Sequence, residues 1–360
     1  SQEDADLIAK VVAVASDELV NKVVEEVSKN STEEKQTLSA QVLKAIVDSD
    51  SGKIDIINDD VKDTMIKQTI ESAQNQQEGT GVQQDQDMTS IVSDIIVNTD
   101  TDTGSKMIEE LNNSSTDTEN DLSLQVISAI SEKDTTKLNT LSENNKEQID
   151  ILTETAIKNA DASEESADLI AKVVAVASDE LVNKVVEEVS KNSTEENQAL
   201  SAKVMKSIVE TNPEKIETLS DENKETIITQ TIEAAKNQAE GTSTDEVDLT
   251  NTIAEIVTKS DTGTAAKVLE TLEEISNESE SKLSLSVVSN LTKQENYEEK
   301  MEILSVTSSI VEQRITKLVE KAVENASSEE DLELVSDIVE NSKGTIADKV
   351  INSANKNEES

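Results

Sequence analysis

Apolar positions recur along this chain at helical spacing. Leu7, Ile8, Val11, Val12 and Ala15 form an i, i+1, i+4, i+5, i+8 stripe, one face of a helix rather than the alternation of a strand. Ser16 and Asp17 interrupt it, and Leu19, Val20, Val23, Val24 and Val27 restart it. The spacing predicts two helices, with Ser16 capping the second and Asp17 and Glu18 in its positive first turn. Ser31-Thr32-Glu33-Glu34 reads as a capping box from Ser31 to Glu34. It opens a third helix whose apolar face is Leu38, Val42, Ala45 and Ile46. A turn near 48–53, a short helical piece around 54–57 and a helix from about 59 to 74 are expected next. Further on, Asn212-Pro213-Glu214 predicts a helix start, with Asn as cap and Pro in the first turn.

The same pattern returns. Residues 5–34 recur letter for letter as 167–196, an offset of 162 residues counted from Asp6 to Asp168. The third helix recurs too: LSAQVLKAI at Leu38, LSLQVISAI at Leu122, LSAKVMKSI at Leu200 and LSLSVVSNL at Leu283. The leading pair recurs from Met88 and Leu249, each time followed by a turn expected at Gly104 and Gly263. The unit is therefore roughly 80 residues, and a duplicated pair of units was duplicated again. The expected units are 1–81, 82–162, 163–243 (a near-copy of the first), 244–326 and a partial fifth, 327–360. Polar linkers lie at 75–87, 160–165, 237–246 and 325–330. Hairpins of roughly 40 residues resemble HEAT or armadillo-type solenoids in size only; the signatures of those families are absent.

Composition narrows the picture. Hydrophobic residues make up 34 %, and Tyr297 is the sole aromatic, so the core must be thin and aliphatic. Layers of short helices suit that better than one large centre. The net charge is −45, from 77 acidic and 32 basic residues. That balance argues against nucleic acid, which needs a basic face, and against anionic membranes. The longest apolar run, 7–15, is broken by Lys10 and falls far short of the ~18 residues of a membrane span. The chain begins at Ser1, at a repeat boundary, so any targeting signal is expected outside it.

Chemistry is sparse. Without His or Cys there is no Ser–His or Cys–His nucleophile. No glycine-rich phosphate loop occurs. The best metal pattern is 98–109, where Asn98, Asp100, Asp102 and Glu109 fall at places 1, 3, 5 and 12 of a calcium loop. Thr103 stands where the loop needs Gly, so an acidic turn between helices is the expected reading. Residues 48–52 are a weaker version. Asn-x-Ser/Thr sequons such as Asn30-Ser31-Thr32 are expected by chance in so polar a chain. No catalytic, cofactor-binding or metal residue is predicted, and no cofactor.

The expected fold is all-α, a tandem array of helical units stacked side to side, solenoid-like and elongated. The expected role is structural and non-catalytic. It is a segment of a very long secreted or cell-surface protein, acting as spacer, stalk or extracellular filament subunit. The alternative is a solenoid scaffold that binds a partner protein. Expected partners are neighbouring repeats or end-to-end copies and loosely held cations, without nucleic acid or membrane insertion. Both ends look like interior repeats, which suggests an excerpt from a longer array that associates head to tail. Circular dichroism should show a helical spectrum with a cooperative melt. Stability should rise with salt as self-repulsion is screened over about 8 Å at physiological ionic strength. A random-coil spectrum would remove the architecture altogether.

Overall fold

A computed structural model describes residues 2–29, 32–80, 87–114, 122–158, 162–239, 248–276, 282–295, 309–324 and 328–342. It also describes 160, 297, 299, 300, 302, 326, 347, 348 and 350–353. Two compact units divide the chain, Ser1–Glu188 and Val189–Ser360. The fold is all-α, and no strand occurs among the described residues.

The first unit holds α1 (Gln2–Val14), α2 (Asp17–Ser28), α3 (Glu33–Asp50), α4 (Asp59–Gln77), α5 (Met88–Asn98) and α6 (Thr101–Ser114). Next come α7 (Leu122–Lys133), α8 (Thr135–Asn144), α9 (Lys146–Lys158), α10 (Glu164–Val176) and α11 (Asp179–Val189), whose last residue lies past the divide. Helices α1, α3, α5, α7 and α10 form one row, each packed on the next. Helices α2, α4, α6 and α9 form a second row in the same manner. A hairpin takes one helix from each row. The sequence unit of roughly 80 residues thus holds two hairpins, the second longer than the first.

The second unit repeats the plan. It contains α12 (Glu195–Thr211), α13 (Asp221–Ala239), α14 (Leu249–Lys259), α15 (Thr262–Ser276), α16 (Lys282–Lys293), α17 (Ser309–Glu324) and α18 (Glu329–Asn341). Helices α12, α14, α16 and α18 pack in succession, as do α13, α15 and α17.

Between the rows lies an aliphatic core. Val12, Val24, Ile46, Met65, Ile70 and Ile95 are buried in the first unit, and Val204, Ile228, Ile253 and Leu269 in the second. Each such side chain stabilises its unit by about 1.5–3 kcal/mol. Of the expected face of α3, Val42, Ala45 and Ile46 are buried and Leu38 is half-buried.

Local details depart from expectation in five places. The break at Ser16 is present, but its hydroxyl makes no cap bond. The cap of α3 is Thr32, one residue past Ser31, which lies outside the described residues. The short helical piece is a 3-10 turn at Ser51–Lys53, before 54–57, because Asp50 accepts from Gly52 N and closes the chain early. Pro213 likewise opens a 3-10 turn, Pro213–Ile216, while the long helix starts at Asp221. Gly104 and Gly263 sit in the first turn of α6 and α15 rather than in the bend. A Cβ on Gly104 would meet Ile96 O and Leu141 at 3.5 Å each, so this helix starts close against its neighbours. The left-handed residue is Gly79, with φ of 66°, just past α4. The boundaries expected at 81/82 and 243/244, and Gly344, lie outside the described residues.

One buried polar bridge occurs in both copies of the long hairpin. Ser39 Oγ donates to Gln68 Oε1 at 2.5 Å, and Gln68 Nε2 donates to Ser28 O at 3.0 Å. In the second unit Ser201 Oγ donates to Gln230 Oε1 at 2.6 Å, and Gln230 Nε2 donates to Ser190 O at 2.7 Å. The amide ties two helices of its hairpin to the end of the helix before. Replacing Gln230 by Ala removes its bonds to Ser201 Oγ, Ser190 O and Asn192 O, which costs about 1–3 kcal/mol. Urea unfolding followed by circular dichroism should show that loss, whereas Thr226→Ala, at a half-exposed position of the same helix, should change stability by under about 0.5 kcal/mol.

Candidate functional site

The calcium-loop residues do not share a loop. Asn98 ends α5, and its Nδ2 donates to Asp94 O at 2.9 Å. Asp100 precedes α6 and accepts from Thr103 N at 2.7 Å, an N-cap. Asp102 and Glu109 belong to α6 itself. Burial alone would raise the Asp100 carboxyl, but the Thr103 hydrogen bonds outweigh it and hold the group below its ordinary value. Asp261 does the same at α15, accepting from Thr264 N at 2.7 Å. The acidic turn is therefore a cap used twice. Among the described residues no cluster of three or more His, Cys, Asp or Glu converges.

Polar chemistry concentrates instead where one hairpin meets the next. Lys53 Nζ donates to Ala15 O at 3.3 Å, Lys137 Nζ to Thr99 O at 2.6 Å and Lys300 Nζ to Ser260 O at 2.5 Å. Each acceptor lies at the C-terminal end of a row-one helix: α1, α5 or α14. The last carbonyls of a helix lack intrahelical partners and carry the negative end of its dipole. A lysine from the following hairpin answers both needs. Burial pulls the Lys137 ammonium below its ordinary value, against the raising effect of Asp100 and Asp134. Sequence reading missed these lysines, although a signal existed: Lys53 and Lys137 stand fifteen residues after Leu38 and Leu122.

Charged clamps flank these contacts. Asp94 on α5 meets Lys133 of α7 at 2.7 Å and Lys44 of α3 at 3.2 Å. Burial raises the Asp94 carboxyl, and the two ammonium groups more than reverse that, leaving it below its ordinary value. Lys172 of α10 pairs with Glu132 of α7 at 2.7 Å. In the second unit Lys293 of α16 pairs with Asp337 of α18 at 2.6 Å. The second row is laced likewise: Lys106 to Asp63 at 3.0 Å, Lys267 to Glu225 at 2.9 Å, and Arg314 to Glu270 at 2.9 Å.

Leu124, Ile127, Ala156 and Val173 help enclose a cavity of about 10 Å³ in the first unit, room for roughly one water. Thr153 lines it, and its Oγ1 is buried without a hydrogen bond. Among the described residues no helix is long and apolar enough to cross a membrane.

No protein-family model matches the chain, and no curated protein does. Solved structures that match include the crystal structure of an engineered protein, 13 % identical over 100 % of this chain and 95 % of the other, with a TM-score of 0.35. A likeness that low speaks to neither topology nor activity.

The cap reading has a direct consequence. Asp100→Ala should cost about 0.5–2 kcal/mol, the usual loss for an N-cap. The loss should be equal in Ca²⁺ and in Mg²⁺ at matched ionic strength. A saturable Ca²⁺ stabilisation that disappears in this variant would reinstate the calcium loop.

Proposed function

We propose that this chain is a structural repeat segment of a long secreted or cell-surface protein, serving as spacer, stalk or filament subunit. The observation that carries the reading is that the repetition of the sequence reappears as repetition of the joint. The Ser–Gln–carbonyl bridge forms in both copies of the long hairpin, and the lysine-to-carbonyl contact forms at three joints. Polar side chains that recur with the repeat are used to fasten one hairpin to its neighbour. Such an array gains reach by adding copies, since each repeat contacts only those beside it. Its acidic surface keeps like chains apart in solution and leaves shape and length as the transmitted property.

Immunogold microscopy of the source cells tests this, with an antibody raised against residues 5–34, a stretch that occurs twice. The expected result is label outside the cell or on its surface. Removing one 162-residue copy from the gene should shorten the labelled structure in proportion. Diffuse cytosolic label, or a structure of unchanged dimensions, would overturn the reading.

A further inference from the structure

Residues 5–28 and 167–190 are one sequence in two surroundings. In α10 and α11 the stripe is largely covered: Val173 and Leu181 are each 2 % exposed, and Leu169 and Val176 are half-buried. Helix α7 packs along α10, and Ile127 and Ala156 of α7 and α9 face Val173 and Val185 across the small cavity. In α1 and α2 the matching side chains lie open, with Leu7 at 61 %, Val11 at 48 %, Val14 at 87 % and Leu19 at 46 %. The sequence is identical, so the neighbour makes the difference.

The rim of the covered face is polar and specific. Lys172 pairs with Glu132 of α7, Glu180 pairs with Lys146 of α9, and Ser178 N donates to Asn139 Oδ1 of α8 at 3.1 Å. The matching Lys10, Glu18 and Ser16 are exposed. Glu18 turns to Lys22 of its own helix, at 2.8 Å.

We infer that the open face of α1 and α2 docks a helical hairpin of the α7–α9 kind. Such a hairpin carries an aliphatic face, an acid at the place of Glu132 and a lysine at the place of Lys146. The inference rests on the structural reading above and names the partner surface it requires. The acid is the selective mark. At the corresponding place α16 carries Lys293, which meets Asp337, and Asp337 stands in α18 where Lys10 stands in α1. A hairpin of the α16 kind would set lysine against lysine.

Hydrogen exchange on the full chain tests this, because identical sequences have identical intrinsic exchange. In the dilute chain the amides of α1 and α2 should exchange about tenfold faster than their counterparts in α10 and α11. Two probes then supply the partner: a synthetic peptide of residues 122–158, and an extended chain with residues 122–162 duplicated ahead of Ser1. The extended chain keeps the test decisive where the peptide does not fold alone. Protection of α1 and α2 should rise to that of α10 and α11. Glu132→Lys in the duplicate should reduce the gain about fivefold, the upper range for a half-exposed pair, and Lys10→Glu should restore it. Three outcomes overturn the inference. The dilute chain already protects α1 and α2 fully, or the duplicate protects them regardless of charge. In the third, the unextended chain protects them as its concentration rises, which assigns the face to a second copy. Label in the cytosol would defeat the structural role and leave these exchange results untouched.

Discussion

A helix of this chain carries an aliphatic stripe wide enough to need cover on two flanks, and Tyr297 is the one ring the sequence has to fill space between. Helix α3 lies between α1 and α5, and its Val42, Leu43 and Ile46 are buried. A hairpin alone would leave half of that stripe in water. Burial is therefore shared with the hairpins before and after, and stability within each unit becomes a sum of neighbour terms. The two-row arrangement follows from that need. Short side chains let successive helices pack closely, and Val and Ile, stiff at the β-carbon, lose little further freedom when covered.

Electrostatics works against this packing, and the placement of cations offsets it. With 77 acids against 32 bases, carboxylates must crowd any compact form of the chain. Many lysines sit where helices meet. Lys53, Lys137 and Lys300 take helix-end carbonyls, and Lys44 and Lys133 flank Asp94. An exposed ion pair contributes little, typically under about 1 kcal/mol. A half-buried lysine on a helix end does more, because it satisfies a carbonyl that would otherwise lack a partner. Among the described residues, many of the basic groups thus act between hairpins, and others pair within one helix.

Much of this was legible in the sequence, and the failures share a cause. The stripes at Leu7–Ala15 and Leu19–Val27 gave α1 and α2 because helical periodicity is local and needs no partner to be seen. What could not be read was any feature whose partner lies about 40 residues away, such as Gln68 on Ser28 O or Lys137 on Thr99 O. Such contacts depend on stacking that spacing alone does not specify. Caps failed for a second reason. Ser31-Thr32 offers two adjacent residues able to cap α3, and propensity cannot choose between neighbours. Gly104 was misplaced because glycine was read as a bend, and it sits instead within the first turn of α6.

Near-identical repeats carry a hazard that the joints address. If one hairpin surface is interchangeable with another, the chain can stack in a wrong register at little cost, a known failure of repeat proteins. The apolar stripes do little to prevent that, because aliphatic side chains recur at the same places in each copy of the third helix. Charge can. At one equivalent joint Glu132 meets Lys172, and at the other Lys293 meets Asp337, with the signs reversed. Exchanging the two hairpins would oppose acid to acid or lysine to lysine. Each pair adds little when matched, but the mismatch is unfavourable in both wrong pairings, so the discrimination exceeds the contribution of either contact. In a chain whose aliphatic core is nearly the same at each level, such charged rims are what distinguish one joint from the next.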